Sequence, residues 1–380
     1  MKAEPFTVHV TQTLLDDLAQ RLARTRWPDA IEGSGWEYGS NLAYMKELID
    51  YWRTRFDWRA QEKKLNSFAS FRAHIDGLGI HFVHERGKGP DPIPLILTHG
   101  WPSSFVENLK LIPLLTDPGS HGGNPADSFD VVIPSLPGFG FSDRPTKPWV
   151  TIRIHELWLQ LMNQVLGYQR FGVHGGDIGA AVSALLGTFY PRNVIGVHSI
   201  GIFPDLKPNL PGLTEAERTF LQGAQKWLDE EGGYAHIQRT RPQTLSYGLN
   251  DSPAGLAAWL VEKFRAWSDC EGSIEKRFSK DELLTNITIY WLTQTISSSI
   301  RWYFERVHDP APRQRERISV PCGIAVFPEE IGPRPPRELA DRDYTVVRWT
   351  EMPRGGHFPA LEEPELLADD IRGFFRPLRK

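Results

Sequence analysis

The sequence predicts an α/β fold in which a mainly parallel β-sheet is flanked by helices and interrupted by a helical insertion. Short apolar strand patterns alternate with helical patterns in residues 67–203, and strand patterns return in residues 309–380. The block between them, residues 204–308, has only helical patterns and is typical of an inserted cap. Residues 1–66 carry helical patterns that cannot bury their apolar faces alone, so we expect a helical arm packed on the core.

Each predicted element rests on its apolar spacing and on the turn or capping residues that bound it. Asp76-Gly77-Leu78-Gly79 separates the first two strands as a hairpin turn, and Ser279-x-x-Glu282 resembles a helix-capping box. The predicted strands are 68–75, 80–84, 94–98, 129–133, 168–174, 194–198, 323–327 and 344–348. The main predicted helices are 42–56 in the arm and 214–230, 253–266 and 280–299 in the cap.

The segment Gly175–Gly179 has the form G-x-S-x-G of a nucleophile elbow, with Asp177 where serine usually stands. A buried-strand pattern precedes it and a small, apolar helical pattern follows it, which is the context that an elbow needs. A carboxylate at this position can displace a leaving group from a saturated carbon and leave an ester on the enzyme. The alternative for Asp177 is a simple helix N-cap, a common role for aspartate.

The tetrapeptide His99-Gly100-Trp101-Pro102 directly follows an early strand. In the α/β-hydrolase fold this is the place that supplies one backbone N–H of an oxyanion hole, and the residue after the nucleophile supplies the other. The sequence therefore predicts an oxyanion hole formed by the amides of Trp101 and Ile178. A plain turn is the alternative for this Gly- and Pro-containing segment.

The order nucleophile, acid, histidine along the chain indicates the remaining catalytic candidates. His357 follows two glycines in a loop after the last predicted strand, as a base that must reach the elbow would. Glu330 follows the strand 323–327 and is the predicted acid, with the neighbouring Glu329 as the alternative. An exposed loop histidine and a solvated glutamate pair are the non-catalytic alternatives.

Taken together, these segments resemble the epoxide hydrolases of the microsomal type, which have the α/β-hydrolase fold. The resemblance extends over essentially the whole chain. The matching segments are Arg26–Pro28, His99–Pro102, Ser135–Ser142, Gly175–Asp177, Gly233–Gln238, Asn250–Ala257, Arg301–Tyr303, Phe327–Ile331 and Gly355–Phe358.

The resemblance implies a role for each matching residue. Asp177 would attack an epoxide carbon, and His357, oriented by Glu330, would activate the water that releases a vicinal diol. Tyr234 and Tyr303 match the cap tyrosines that donate hydrogen bonds to the epoxide oxygen, although packing within the cap is the alternative for both. The reaction implied needs no metal and no organic cofactor.

The chain departs from the family pattern in two places. Many relatives have Trp after the nucleophile where this chain has Ile178, but the oxyanion hole needs only the backbone N–H. The N-terminal anchor helix of the membrane-bound members is not found in the sequence. We therefore expect a protein without a membrane anchor.

Composition narrows the remaining functions. A net charge of −4 without a basic run argues against nucleic acid, and no apolar run is long enough for a membrane span. With two cysteines and no leader pattern, we expect a cytoplasmic protein. The 13 tryptophans favour a bulky or aryl epoxide as the substrate, and a homo-oligomer is compatible with the sequence.

Two other functions are compatible with an elbow aspartate. A haloalkane dehalogenase uses the same nucleophile but needs N–H donors for the halide, and Ile178 lacks such a side chain. A non-catalytic binding protein on a hydrolase fold is the second alternative. Because every catalytic position is filled, the sequence favours epoxide hydrolysis over both.

Overall fold

The computed structural model describes residues 2–202, 211–310 and 316–379. The expected first residue of the cap, 204, lies outside these ranges. In the described residues the strands form one nine-stranded sheet. The strands are β1 Ala3–Pro5, β2 Ser70–Ile75, β3 Leu78–Glu85, β4 Ile93–Thr98, β5 Phe129–Pro134, β6 Phe171–Gly175, β7 Val194–Ile200, β8 Ile318–Val326 and β9 Tyr344–Glu351.

The sheet order is β1-β2-β3-β5-β4-β6-β7-β8-β9. The pairs β1/β2, β2/β3 and β3/β5 are antiparallel, and every pair from β5/β4 to β8/β9 is parallel. Both faces of the parallel part are covered, and β5 and β6 are buried along their whole lengths. This is the α/β-hydrolase architecture that the sequence predicts.

Helices account for the rest of the regular structure. They are α1 Gln12–Ala23, α2 Leu42–Thr54, α3 Trp58–Leu65, α4 Leu111–Thr116, α5 Ile154–Gln160, α6 Ile178–Phe189, α7 Glu215–Glu231, α8 Gly233–Thr240, α9 Pro242–Leu249, α10 Pro253–Ala266, α11 Lys280–Thr293, α12 Ile296–His308, α13 Arg337–Asp343, α14 Pro359–Glu362 and α15 Pro364–Phe375.

The N-terminal arm contacts both the core and the cap. Its helix α1 buries Leu18 and Leu22, its helix α2 buries Leu48 and Trp52, and both helices pack on the cap helix α10. The strand β1 also belongs to this region and pairs with β2 of the core sheet. The arm therefore departs from the purely helical arm expected for residues 1–66, because three residues near the N-terminus extend the sheet edge.

Two cap helices, α11 and α12, replace the single long helix that the sequence predicts over residues 280–299. Gln294 adopts a left-handed conformation with φ of 54°, which ends α11 before α12 begins at Ile296. No glycine or proline marks this break, so the sequence gives no sign of it. The break lets α12 turn back and pack against α8 and α9.

The topology brings four loops to one edge of the sheet. The His99–Pro102 loop follows β4 and the elbow follows β6, and these two strands are neighbours. The loop with Glu330 follows β8, and the loop with His357 follows β9, the adjacent strand. In an open α/β sheet, sites form beyond the carboxyl ends of the strands, and here the cap helices lie over that edge.

Candidate active site

Asp177 lies in the sharp turn between β6 and α6, with φ of 50° and ψ of −124°. This is a strained backbone conformation for a residue with a side chain, and such strain is common at functional sites. The turn needs glycine at Gly179, because a Cβ there would lie 1.9 Å from the carbonyl oxygen of Thr98. Although Asp177 stands at the N-cap position of α6, its side chain makes no capping hydrogen bond. The simple capping role is therefore not what holds this carboxylate.

The Asp177 carboxylate instead faces the loop after β4. The backbone N–H of Trp101 donates to Asp177 Oδ1 at 2.8 Å, and the neighbouring Ile178 amide also favours the charged carboxylate by lowering its pKa. A Cβ on Gly100 would lie 2.3 Å from the same Oδ1, so only glycine permits this approach. The two amides thus point at the place where negative charge would develop on this group.

The environment of Asp177 has opposing effects on its charge. Burial raises the pKa of Asp177, while the His357 charge and the amides of Trp101 and Ile178 lower it, and the net shift is upward. The side chain is 17% exposed, so the carboxylate is largely removed from solvent. A partly desolvated carboxylate is a stronger nucleophile than one in water.

His357 lies between Glu330 and the elbow. Its Nδ1 hydrogen-bonds Glu330 Oε1, and its Nε2 is 3.9 Å from Asp177 Oδ2. Its backbone N–H donates to the carbonyl of Trp267 at 2.7 Å, which fixes the loop against the end of α10. Gly355, two residues before His357, has a φ of 105°, a conformation that glycine adopts without strain. The ring is therefore oriented with Nε2 toward Asp177.

The two carboxylates near His357 determine its protonation. Burial alone lowers the pKa of His357, but the negative charges of Glu330 and Asp177 outweigh burial and raise the pKa to about 9. The resting imidazole is therefore largely protonated at neutral pH.

The two glutamates after β8 have different environments. Glu330 is partly buried, and its Oε1 also accepts the N–H of Ile331 at 2.9 Å. Glu329 is exposed, and its backbone forms a bridge with Gly356. Glu330 is thus the glutamate whose carboxylate reaches the imidazole, while Glu329 connects the acid loop to the histidine loop through its main chain.

Tyr234 of α8 and Tyr303 of α12 lie over the elbow in an aromatic cluster. The Tyr234 ring stacks on Trp101, with centroids 5.4 Å apart and planes at 7°, and lies 5.1 Å from the ring of Trp267. The Tyr303 ring is 6.0 Å from Tyr234 and 5.9 Å from Trp101. Burial and the Asp177 charge both raise the pKa of each phenol, so both stay protonated hydrogen-bond donors.

His99 and Pro102 help to hold the loop after β4 in place. His99 Nε2 accepts the Leu136 N–H at 3.2 Å, so Nδ1 carries the proton and donates to the Gly100 carbonyl at 3.1 Å. Burial lowers the pKa of His99 to about 4, which keeps the ring neutral. The cap residue Asn286 donates its side-chain amide to the Pro102 carbonyl at 2.9 Å. Core and cap thus both hold this loop in place.

Two residues near the site escaped the sequence analysis. Trp267 lies between the cap tyrosines and His357, because its ring is 5.1 Å from the Tyr234 ring and 5.2 Å from the His357 ring. Glu107 is buried, and burial raises its pKa to about 7, partly offset by the His357 charge. Nothing in the local sequence distinguishes these residues, since their proximity to His357 arises only from the fold.

The fold and the elbow define an α/β-hydrolase, and comparisons with known proteins agree. Residues 3–108 match the family described as "Epoxide hydrolase N terminus", and residues 93–240 match "alpha/beta hydrolase fold". Epoxide hydrolase 1 of Oryctolagus cuniculus is 39% identical, over 97% of this chain and 88% of the rabbit protein. A protein of Stigmatella aurantiaca whose name is a provisional assignment as an epoxide hydrolase is 46% identical, over 99% of this chain and 85% of its own.

A solved structure extends the similarity to three dimensions. The juvenile hormone epoxide hydrolase of the silkworm Bombyx mori superposes with a TM-score of 0.85 at 33% identity, covering 99% of this chain and 94% of the silkworm chain. The chain belongs to the epoxide hydrolase family and is an epoxide hydrolase. In the part of the chain that the structure describes, no helix is both long and apolar enough to cross a membrane.

Proposed function

We propose that this enzyme opens its epoxide through a covalent ester on Asp177. In the first step a carboxylate oxygen of Asp177 forms a bond to one epoxide carbon while the carbon–oxygen bond of the ring breaks. Tyr234 and Tyr303 meet the departing oxygen and supply its proton, which makes the alkoxide a viable leaving group. The observation that carries this proposal is the carboxylate held at the elbow near two cap phenols, of which Tyr234 is buried and Tyr303 partly buried.

In the second step water attacks the carbonyl carbon of the Asp177 ester. His357 takes a proton from that water, and the amides of Trp101 and Ile178 stabilise the tetrahedral oxyanion. The diol then leaves with the Asp177 carboxylate restored. Because the resting imidazole is protonated, His357 first returns a proton to the phenol oxygen that gave one to the alkoxide. The proton that it then takes from water restores the imidazolium, so the cycle balances. The 3.9 Å between His357 Nε2 and Asp177 Oδ2 supports this step, because it places the base beside the ester.

The substrate that we propose is a bulky or aryl epoxide. The rings of Trp101, Trp267 and the cap tyrosines pack together beside the elbow, so the groups around the Asp177 carboxylate are largely aromatic and polarisable. Halide release is the less favoured chemistry, because two phenols can donate a proton to an alkoxide whereas a halide needs none. A negative chloride- and bromide-release assay with haloalkanes would agree with this choice.

The origin of the diol oxygen tests the covalent mechanism. In a single turnover in ¹⁸O-water, with enzyme in excess over styrene oxide, we expect a diol without label. Its added oxygen comes from the Asp177 carboxylate, and the label should appear in the Asp177 peptide. Diol formed over later turnovers should then carry the label. A labelled diol in the first turnover would mean that water attacks the epoxide directly, and would rule out the ester.

Exchanging each loop glutamate for glutamine tests which one orients the base. Glu330→Gln is expected to slow ester hydrolysis by about 10²- to 10⁴-fold, because the charge that stabilises the imidazolium is lost. It should also lower the His357 pKa, since the Glu330 charge is what raises it. Glu329→Gln is the matched control, and we expect it to change both quantities little. Single-turnover rates and an NMR titration of the imidazole measure the two effects, and equal effects from both variants would contradict the assignment.

A further inference from the structure

A buried lysine lies beside the cap tyrosines and has no part in the mechanism above. Lys263 of α10 is 5% exposed, and its ammonium pairs with the Glu262 carboxylate at 2.5 Å. Lysine is rarely buried to this extent, because the ammonium loses its hydration. A buried cation next to a reaction centre therefore calls for a specific reason.

The ammonium of Lys263 lies against two aromatic rings of the site. Its Nζ is 4.6 Å from the ring centroid of Tyr234 and 5.7 Å from that of Trp267. Both distances are within the range of cation–π attraction, about 6 Å, and such contacts are stronger when the cation is desolvated. Tyr234 is the nearer ring, and it is also the phenol that stacks on the oxyanion-loop residue Trp101.

Other charged and titratable groups around Tyr234 make its phenol a poor proton donor. Burial raises the pKa of Tyr234, and the negative charges of Asp177 and Glu262 raise it further. The neighbouring Tyr303 hydroxyl acts in the opposite direction by hydrogen bonding. When Tyr234 donates to the epoxide oxygen, its own oxygen gains negative charge. Lys263 places a buried positive charge against the face of this ring.

We propose that Lys263 is a positioning residue for epoxide opening: its ammonium holds the Tyr234 ring and stabilises the negative charge that the phenol gains as it donates its proton. This inference rests on the proposed function, because it assigns Lys263 to the first of the two steps only. Ester hydrolysis depends on His357 and the backbone amides, so the Lys263 charge has little to contribute there. A residue needed only for packing would affect both steps.

The two steps can be measured separately in stopped-flow single turnovers with styrene oxide, following tryptophan fluorescence. Lys263→Met is expected to slow ester formation by about 5- to 30-fold and to leave ester hydrolysis within about twofold of the unmodified enzyme. Lys263→Arg keeps the positive charge and is expected to recover most of the lost rate. The double variant Glu262→Gln/Lys263→Met leaves no unpaired buried charge and should behave like Lys263→Met.

A double-mutant cycle with Tyr234→Phe separates the electrostatic role from packing. Without the Tyr234 hydroxyl there is no charge to stabilise, so Lys263→Met is expected to have no further effect on ester formation. An equal loss in both backgrounds, or equal slowing of both steps, would overturn the role of Lys263. Intact mass spectrometry of the unmodified enzyme during turnover separates this outcome from failure of the proposed function. If no ester forms at all, the mechanism itself is wrong, whereas normal ester formation with an unaffected Lys263→Met variant overturns only this inference.

Discussion

Replacing Asp177 with asparagine is expected to remove epoxide hydrolysis almost completely, with a loss of at least about 10⁴-fold in kcat/KM. The amide is a far weaker nucleophile than the carboxylate. No other residue of the elbow, 175–179, has a nucleophilic side chain. Asparagine is the right replacement because it tolerates a positive φ, so the turn at 50° should survive. Diol formation by the purified variant gives the rate.

Two controls make the Asp177 result interpretable. An unchanged thermal unfolding midpoint would show that the elbow still folds. Slow deamidation of asparagine would regenerate the carboxylate, so activity that grows with storage, together with a gain of about 1 Da in peptide mass, would also identify the carboxylate as the essential group. Freshly prepared Asp177→Asn with more than a few per cent of the original activity would contradict the nucleophile assignment.

Replacing His357 with glutamine is expected to stop the reaction after the ester has formed. Ester formation needs Asp177 and the phenols, so it should continue, while ester hydrolysis loses its base and should fall by about 10³-fold or more. The fold should hold, because the bond to the Trp267 carbonyl comes from the backbone N–H of residue 357. Mass spectrometry after mixing with styrene oxide should show the enzyme plus one epoxide, with the adduct on the Asp177 peptide.

The position of the adduct decides this second prediction. An adduct on another residue, or diol release at the normal rate, would contradict the role of His357. The Asp177→Asn/His357→Gln double variant is the control, because it lacks the carboxylate and should remain unmodified.

The sequence was a good guide to the fold because its signals are local. Strand patterns and the Gly175–Gly179 turn depend on neighbouring residues, and they predicted the fold correctly. The motifs that resemble the epoxide hydrolases predicted the family correctly. The helix predicted over 280–299 was wrong because Gln294 is ordinary in type and only its backbone conformation is unusual. The strand at residues 3–5 was missed because it depends on pairing with a segment about seventy residues away.

The candidate site shows the same division between local and distant signals. Asp177, Glu330 and His357 could be proposed from sequence because each follows a recognisable strand in a known order. Lys263 and Trp267 could not, since their significance lies in contacts with Tyr234 and His357 that arise only when the cap folds over the core.

The short distance between His357 Nε2 and Asp177 Oδ2 has a consequence for timing. In the resting enzyme the Asp177 charge helps to keep the imidazole protonated, with a pKa of about 9. Formation of the ester removes that charge, so the imidazolium then releases its proton more easily. In the proposed mechanism, the base of the second step would thus become available mainly after the first step. Formation of the ester on Asp177 would thus itself convert His357 into the base that later hydrolyses the ester.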